Sequence, residues 1–169
     1  MDFKEYLIKR NKSAKEKIYT VLLYVAALVL SFLVFMVIPP LGGVNLLLAV
    51  GAFYVAYKLS AKFNREFEYI ITGDCVDIDV VYNRNARKRL ISFSIKEVQV
   101  LASVNDANQK HILEGVFDKE IDATTNSKDA SVYFVVVEKN GRTLIKFEPP
   151  YTALEMLKKQ APSKVFISE

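Results

Sequence analysis

A run of 40 residues without a single charged side chain constrains this 169-residue chain more than any other feature. From Ile18 to Tyr57 the sequence holds no Asp, Glu, Lys, Arg or His, although charged residues make up 25% of the chain. A soluble domain does not normally segregate its charges in this way, because its surface helices turn one polar face to water. The run is typical of membrane-spanning segments.

The run divides into two segments of spanning length. As a helix, residues 18–38 would rise roughly 31 Å at about 1.5 Å per residue, which matches a hydrocarbon core of about 30 Å. Residues 41–59 form the second segment, from whose end Lys58 can extend its amine out of the bilayer. Between them "PPLGG", residues 39–43, predicts an external turn, since proline ends a helix and glycine permits a tight reversal. We therefore predict a transmembrane helical hairpin.

Two other interpretations of the run are a buried helical hairpin of a soluble protein and a cleaved signal peptide. The uncharged run is longer than a soluble core helix needs. Its first segment is also too long for the apolar part of a signal peptide, and no A-x-A-like cleavage site accompanies it. The sequence favours a membrane anchor.

Basic residues flank both ends of the run. Residues 1–17 carry six basic and three acidic residues, and Lys58, Lys62 and Arg65 follow the second segment without an intervening acid. Because basic residues collect on the cytoplasmic side, we predict a multi-pass protein of the cell (inner or plasma) membrane with both termini in the cytoplasm. Residues 66–169 carry 14 basic and 16 acidic residues, so the net charge of +4 comes from the membrane flanks and gives no indication of nucleic acid binding.

The first 17 residues form a basic cytoplasmic segment in this interpretation. Phe3, Tyr6 and Leu7 stand at helical spacing among its basic residues. This spacing predicts a short helix that lies on the anionic membrane surface. A frayed basic tail is the alternative.

Residues 66–169 alternate apolar and polar side chains and predict an antiparallel cytoplasmic β-domain. Gly73-Asp74 suits a two-residue hairpin turn. That turn brings two strands together with one wholly apolar face, formed by Phe67, Tyr69, Ile71, Val76, Ile78 and Val80. A four-residue loop at 84–87 would then place Val80 opposite Ile91.

The second half of this region continues the β pattern and ends in a helix. A strand is expected at 98–103, and a polar excursion with a strand near 116–121 is expected within 105–125. Asn140-Gly141 predicts a second hairpin with a type I′ turn. Proline at the start and at residue 162 bounds a helix at 150–161, and residues 164–168 can add an edge strand.

About seven antiparallel strands followed by one helix resemble the pleckstrin-homology-like (PH-like) barrel or sandwich. Within this order, "FEYIITGDCVDIDVVYNRNARKRL", residues 67–90, looks like the start of that domain in an uncharacterised bacterial family of small two-span membrane proteins. The resemblance implies an α+β membrane protein in which the C-terminal helix caps the strands. It carries over no catalytic residue. PH domains that hold phosphoinositides use basic residues around their first hairpin, whereas the Gly73-Asp74 turn is short and acidic.

Basic side chains at two places are candidates for contact with lipid headgroups or with a partner. "RNARKR", residues 84–89, holds four basic residues in six, and three more follow the second spanning segment. Each basic charge near an anionic membrane contributes about 1 kcal/mol of attraction. The candidate residues are Lys58, Lys62, Arg65, Arg84, Arg87, Lys88 and Arg89. The alternative for the second cluster is a solvated hairpin tip.

The sequence offers little for catalysis. Cys75 with His111 could form a nucleophile–base pair, but no flanking motif would lower the pKa of the thiol. Asp77 and Asp79 share one strand face, which a solvated surface explains better than a metal site does. We predict no catalytic residue, no metal site and no cofactor.

These observations predict a non-enzymatic, membrane-anchored interaction module that presents a PH-like domain at the cytoplasmic face. Its expected partners are the bilayer and either another protein or a second copy of the chain. The alternative is an accessory subunit of a membrane transport or secretion complex that acts through its transmembrane hairpin. An enzyme that uses Cys75 is the least favoured hypothesis.

Overall fold

The computed structural model describes residues 3–37, 43–139 and 141–167, which fall into two compact units. The helical unit is Lys12–Arg65, and the β-unit combines Met1–Asn11 with Glu66–Glu169. The elements, in chain order, are β1 (Phe3–Lys9), α1 (Ala14–Val37), α2 (Val44–Ala61), β2 (Arg65–Thr72), β3 (Cys75–Tyr82), β4 (Ala86–Ser94), β5 (Val98–Ser103), β6 (Lys119–Asp122), β7 (Tyr133–Glu138), β8 (Arg142–Phe147) and α3 (Tyr151–Gln160). The two long helices are therefore inserted between the first and second strands of the β-unit.

The helical unit contains two helices that are long and apolar enough to cross a membrane. Helix α1 begins with a capping box, in which the Ser13 amide donates to Glu16 Oε2 at 2.8 Å and the Glu16 amide donates to Ser13 Oγ at 3.2 Å. Small side chains let α1 and α2 approach closely, and Ala27, Ala56 and Ser60 are buried. The predicted external turn at 39–43 lies outside the described residues except for Gly43.

The first strand, β1, contradicts the expected surface helix. Its residues pair antiparallel with β2, with Tyr6 opposite Tyr69 and Lys9 opposite Glu66. Tyr6 and Ile8 pack against the core. Side chains of this segment therefore alternate between the two faces of a strand. The first hairpin of the β-unit is β1–β2, and the two long helices connect its strands. The Gly73-Asp74 turn, predicted to form the first hairpin, joins the next pair, β2 and β3.

Sheet 1 has the strand order β1-β2-β3-β4 and buries one face. The predicted apolar face of β2 and β3 is confirmed, since all six of its side chains are buried. The predicted register of β3 and β4 is wrong, because Ile78 lies opposite Ile91 and Val80 lies opposite Lys88. Positive φ angles at Asn83 (49°) and Arg84 (59°) close a shorter loop than expected, and a bulge after Ile78 shifts the pairing.

Sheet 2 has the strand order β5-β7-β8-β6. The hairpin of β7 and β8 is confirmed, but its predicted two-residue turn is wrong, because Glu138 lies opposite Arg142 and leaves three residues in the connection. Asn140 lies outside the described residues. Strand β6 runs parallel to β8, with Ile121 opposite Ile145, which corrects the fully antiparallel prediction. Residues 104–118 cross sheet 2 from β5 at one edge to β6 at the other, so β6 runs in the same direction as β5 and β8.

This crossover, which we call the covering segment (residues 104–118), packs on the outer face of sheet 2. Its apolar side chains Ile112, Leu113 and Phe117 contact a second buried cluster centred on Phe134 and Val136. The segment that was predicted to be polar is therefore amphipathic. It covers the outer face of sheet 2, so both faces of this sheet are buried.

The main core lies between the two sheets and is completed by α3. Ala153, Leu154 and Leu157 of α3 are buried in it. Tyr69 joins the two sheets, since its hydroxyl donates to the Ala123 carbonyl at 2.6 Å and accepts from the Glu148 amide at 3.1 Å. The described strands form a two-sheet sandwich and no closed barrel.

Candidate functional site

The basic cluster at 84–89 begins in the β3–β4 loop and continues into β4. Arg84 lies in the loop, and Arg87 and Arg89 lie on the strand, opposite Val81 and Asp79. Because successive side chains of a strand point to opposite faces, Arg87 and Arg89 share the outer face of sheet 1 while Lys88 lies on the other face. The cluster is thus divided between two faces.

Two of the arginines reach across the sheet to glutamates of β2. Arg84 Nε lies 3.2 Å from Glu66 Oε1, and Arg87 pairs with Glu68. Both glutamate side chains are buried, at 6% and 2% exposed, whereas the arginines are 78% and 55% exposed. The guanidinium groups therefore cover the carboxylates and shield them from water.

Arg89 binds two aspartates of the neighbouring strand β3. Its Nη1 lies 3.0 Å from Asp77 Oδ2, and its Nε donates to Asp79 Oδ1 at 2.8 Å. The hydrogen bond to Asp79 raises the pKa of Arg89 further above its ordinary value. Asp79 is buried, so the expectation of a solvated outer face is wrong for this residue.

The outer face of sheet 1 is therefore an ion-pair network. Its members are Arg84, Arg87, Arg89, Glu66, Glu68, Asp77 and Asp79. Removing one partner of a buried pair leaves an uncompensated charge, which costs about 3–5 kcal/mol. These arginines stabilise the sheet, and their charge is largely neutralised within the chain. No ion pair of Lys88 occurs among the described residues.

The other three candidate residues, Lys58, Lys62 and Arg65, lie at the C-terminal end of the helical unit. The Lys58 amine lies 5.5 Å from the centre of the Tyr54 ring, and the Lys62 amide caps α2 by donating to the Leu59 carbonyl at 3.3 Å. Arg65 Nη2 lies 3.9 Å from Glu16 Oε1. They form one group inside the helical unit.

The Gly73-Asp74 turn is bound by its own chain. Gln160 Nε2 donates to the Gly73 carbonyl at 2.7 Å, and the Ile95 amide donates to the Asp74 carbonyl at 2.8 Å. Ser94 Oγ donates to Asp74 Oδ2 at 3.0 Å, which lowers the pKa of Asp74. The turn therefore presents a fixed acidic group.

Cys75 has the properties of an ordinary strand residue. Its side chain is exposed at the start of β3, and desolvation together with the negative charge of Asp74 raises its pKa. A thiol that stays protonated is a poor nucleophile. His111 lies in a short 3₁₀ helix, Lys110–Glu114, of the covering segment. The described residues contain no cluster suited to a metal ion.

Sequence reasoning found the arginines but missed the carboxylates that hold them. A usable signal was present, because the alternation in "EFEYI" places Glu66 and Glu68 on the face opposite Phe67 and Tyr69. Asp77 and Asp79 alternate in the same way on β3. The missing information was the register of three strands, which decides that arginines of β4 meet these carboxylates.

Comparison with known proteins agrees with this architecture. A family model described as bacterial PH-like domain (DUF6106) matches residues 2–167, so it includes β1, the two long helices and the remaining strands. No curated protein and no solved structure matches the chain. The match covers nearly the whole sequence and confirms the resemblance seen in residues 67–90. The chain belongs to the family of bacterial PH-like domains (DUF6106).

Proposed function

We propose that this protein is a non-enzymatic interaction module that two helices anchor in the cell membrane, with its β-unit at the cytoplasmic face. The observation that carries the proposal is the exposed apolar surface of the helical unit. Leu28, Phe32 and Leu47 are 62%, 63% and 73% exposed, and many large apolar neighbours are exposed with them. In water such a surface would be strongly unfavourable, whereas hydrocarbon accommodates it.

The position of charge in the helical unit supports the cytoplasmic orientation. Glu16 and Arg65 lie 3.9 Å apart, so the beginning of α1 and the end of α2 share one end of the unit. Lys15, Lys17, Lys58 and Lys62 belong to that end, and no charged residue lies between Lys17 and Lys58 in the sequence. Basic residues favour the cytoplasmic side, so both termini are assigned there.

The ion-pair network favours a protein partner over lipid headgroups for the β-unit. Attraction to an anionic membrane depends on net basic charge near its surface. The arginines of sheet 1 are balanced by Glu66, Glu68, Asp77 and Asp79, which removes most of that charge. Headgroup contact is assigned to Lys58 and Lys62 at the charged end of the helices. Anchoring confines the search for a protein partner to the membrane and raises its effective concentration.

The single cysteine gives a direct test of the orientation. Intact cells would be treated with a membrane-impermeant maleimide at about pH 8.5, because the raised pKa of Cys75 slows labelling near neutrality. We expect labelling only after the cells are permeabilised, and none in a Cys75→Ser control. Labelling in intact cells would refute the cytoplasmic assignment. Release of the full chain by alkaline carbonate without detergent would refute the anchor itself.

An open groove between α1 and α2 favours the alternative of an accessory subunit as a second candidate. The groove has a volume of about 610 Å³ and is lined by apolar side chains, among them Leu30, Leu47 and Val55. Replacing residues 14–61 by an unrelated two-helix anchor separates the candidates. An interaction module keeps its function in this chimera, whereas an accessory subunit that works through its helices loses it.

A further inference from the structure

Strand β1 is an edge strand of sheet 1. It pairs with β2 over all seven of its residues, from Phe3 opposite Thr72 to Lys9 opposite Glu66, without a register shift. Within the described part of the chain, no strand pairs with the other side of β1. A straight edge of this kind is a template for a further strand, and proteins usually prevent such pairing by covering or distorting the edge.

The other three sheet edges are covered, distorted or short. The C-terminal segment binds β5, since the Leu101 amide donates to the Lys164 carbonyl and the Phe166 amide donates to the Leu101 carbonyl, both at 2.8 Å. On β4, Lys139 Nζ donates to the Ser92 carbonyl at 3.4 Å, and a bulge interrupts the pairing with β3. Strand β6 has only four residues. Among the described strands, β1 is thus the edge best suited to pairing with another chain.

The side chains of β1 alternate between the core and the outer face of sheet 1. Tyr6 and Ile8 pack against the core. Glu5, Leu7 and Lys9 are exposed on the outer face, and Leu7 is 61% exposed. Neither Glu5 nor Lys9 forms an ion pair with another described residue. The outer row of β1 is therefore acidic, then apolar, then basic.

This order is complementary to itself when the strand is reversed. In an antiparallel pair of two β1 strands centred on Leu7, Glu5 of each copy lies opposite Lys9 of the other. The two Leu7 side chains meet at the twofold axis, and Tyr6 lies opposite Ile8 on the core side. Registers centred on Tyr6 or on Ile8 form neither charge pair. Charge and apolar contact thus select the same register.

Contacts at the end of β1 are compatible with that register. Lys4 would lie opposite Arg10 of the second copy, but Arg10 Nη2 lies 3.9 Å from Asp122 Oδ2 in its own chain, which reduces the repulsion. Backbone contact with the other sheet begins beyond the strand, at Asn11, whose amide donates to the Thr125 carbonyl at 2.7 Å. The edge from residue 3 to residue 9 is therefore left open by these contacts.

We propose that β1 is a self-association strand, through which two copies of the chain join their first sheets edge to edge in the antiparallel register centred on Leu7. The two four-stranded sheets then form one continuous sheet across the twofold axis. The exposed leucine loses contact with water at the axis, and a charge pair flanks it on each side.

The inference rests on the proposed function, because it names a second copy of the chain as a partner of the interaction module. A contact of one strand from each copy is small for two proteins that meet in solution. Anchoring confines both copies to one membrane and raises their effective concentration, so a short edge contact is sufficient there.

Disulfide crosslinking of the full chain in isolated membranes tests the register. Leu7→Cys in a Cys75→Ser background would be oxidised, and the crosslinked dimer would be measured on non-reducing gels. We expect efficient crosslinking, because residues that face each other across an antiparallel pair have Cα atoms about 4.5–5.5 Å apart, within the range of a disulfide. Val116→Cys in the same background is the collision control, since Val116 is 88% exposed in the covering segment and the variant leaves β1 unchanged. Equal crosslinking of the two variants would overturn the proposal.

Charge variants test the complementarity. Self-association in liposomes would be followed by energy transfer between dyes on Cys75 as the chains are diluted with lipid. Glu5→Lys should weaken association by about tenfold, because it makes both charge pairs of the dimer repulsive, and Glu5→Gln should weaken it less. Glu120→Lys makes the same change on β6, at another exposed glutamate, and should leave association unchanged. Wild-type association of the Glu5→Lys variant would overturn the proposed register.

The outcome for β1 is distinguishable from the outcome for the anchor. A chain that resists alkaline carbonate but does not crosslink through Leu7→Cys more than through Val116→Cys would overturn the self-association strand alone. A chain that carbonate releases would overturn the anchor, and crosslinking of the released chain would still decide the pairing of β1.

Discussion

Sheet 1 and sheet 2 each turn one face to the shared core, and they cover the opposite face with different chemistry. Sheet 2 places Phe134, Val136 and Leu144 there and covers them with the apolar side chains of the covering segment. Sheet 1 places Glu66, Glu68 and Asp79 in the equivalent position and covers them with arginines of β4 and its loop. Burial alone therefore does not indicate an apolar surface in this fold.

The outer faces of the two sheets should respond differently to substitution and to pH. An apolar face loses stability in proportion to the contact area and cavity volume that a substitution changes. An ion-pair face loses little when both partners are replaced together but much when one is removed. Protonation changes only the second kind of face, so the two can be distinguished by experiment.

Truncation of the apolar face should give the largest loss of stability. Phe134 is fully buried beneath the covering segment. We expect Phe134→Ala to lower the free energy of unfolding by about 3–5 kcal/mol, because the covering segment cannot fill the cavity. Thermal unfolding of the full chain in detergent, followed by tyrosine circular dichroism, measures the change. Phe134→Leu is the volume control, with an expected loss below about 1.5 kcal/mol. Equal losses for the two variants would contradict tight packing here.

Removal of one arginine from the outer face of sheet 1 should lower the free energy of unfolding slightly less than Phe134→Ala does, and this loss should depend on pH. Arg87→Ala leaves Glu68 buried without its counterion. We expect the free energy of unfolding to fall by about 3 kcal/mol near neutral pH. This is the lower end of the range for a broken buried pair, because half of Arg87 is exposed. The loss should shrink as the pH falls, since protonation removes the uncompensated charge. Glu68→Gln in the Arg87→Ala background should recover part of it. A loss that does not change between about pH 5 and about pH 8 would contradict this origin.

Release of one end of the covering segment should have a smaller effect. Asp118 Oδ2 accepts from the Arg142 amide at 2.7 Å, and the Asp118 amide donates to the Arg142 carbonyl at 2.9 Å. We expect Asp118→Ala to cost about 1.5 kcal/mol, the value typical of a hydrogen bond to a charged group. Asp118→Asn keeps an acceptor and should lose less. Faster hydrogen exchange in residues 112–117 of the alanine variant would locate the effect, and unchanged exchange there would contradict it.

Substitution of Lys88 should have the smallest effect on stability. It follows Arg87 directly in β4 but lies on the opposite face, opposite Val80. We expect Lys88→Glu to change the unfolding free energy by less than about 0.5 kcal/mol. Energy transfer from a dye on Cys75 to an acceptor in an anionic bilayer then tests headgroup contact by the β-unit. Unchanged transfer is expected, and a marked decrease would show that this unit touches headgroups.

Local patterns in the sequence were sufficient where the two partners lie close along the chain. The β2–β3 and β7–β8 hairpins were predictable because a short Gly-containing turn and the alternation of apolar residues agree on one arrangement. The two apolar helices were predictable because the absence of charge over their length is independent of any partner. Helix α3 was predictable from its flanking prolines.

Elements whose partners are distant could not be predicted in the same way. Strand β1 was misread because Phe3, Tyr6 and Leu7 fit a helical spacing, and its partner β2 follows only after both long helices. The β3–β4 register failed because Asn83 and Arg84 adopt positive φ angles, which the residue types allow but do not require. The carboxylates beneath the arginines were missed for the same reason, since their pairing depends on that register.

The insertion of the helical pair between β1 and β2 also sets the order in which the protein can be completed during synthesis. Strand β1 leaves the ribosome first, and its partner ends at Thr72, so at about 5–20 residues per second the strand waits roughly 3–13 s for β2. Closing so long a loop in a flexible chain would be entropically costly. Once the two helices have paired, their adjacent ends bring the flanking segments together, so pairing of α1 with α2 promotes completion of the β-unit.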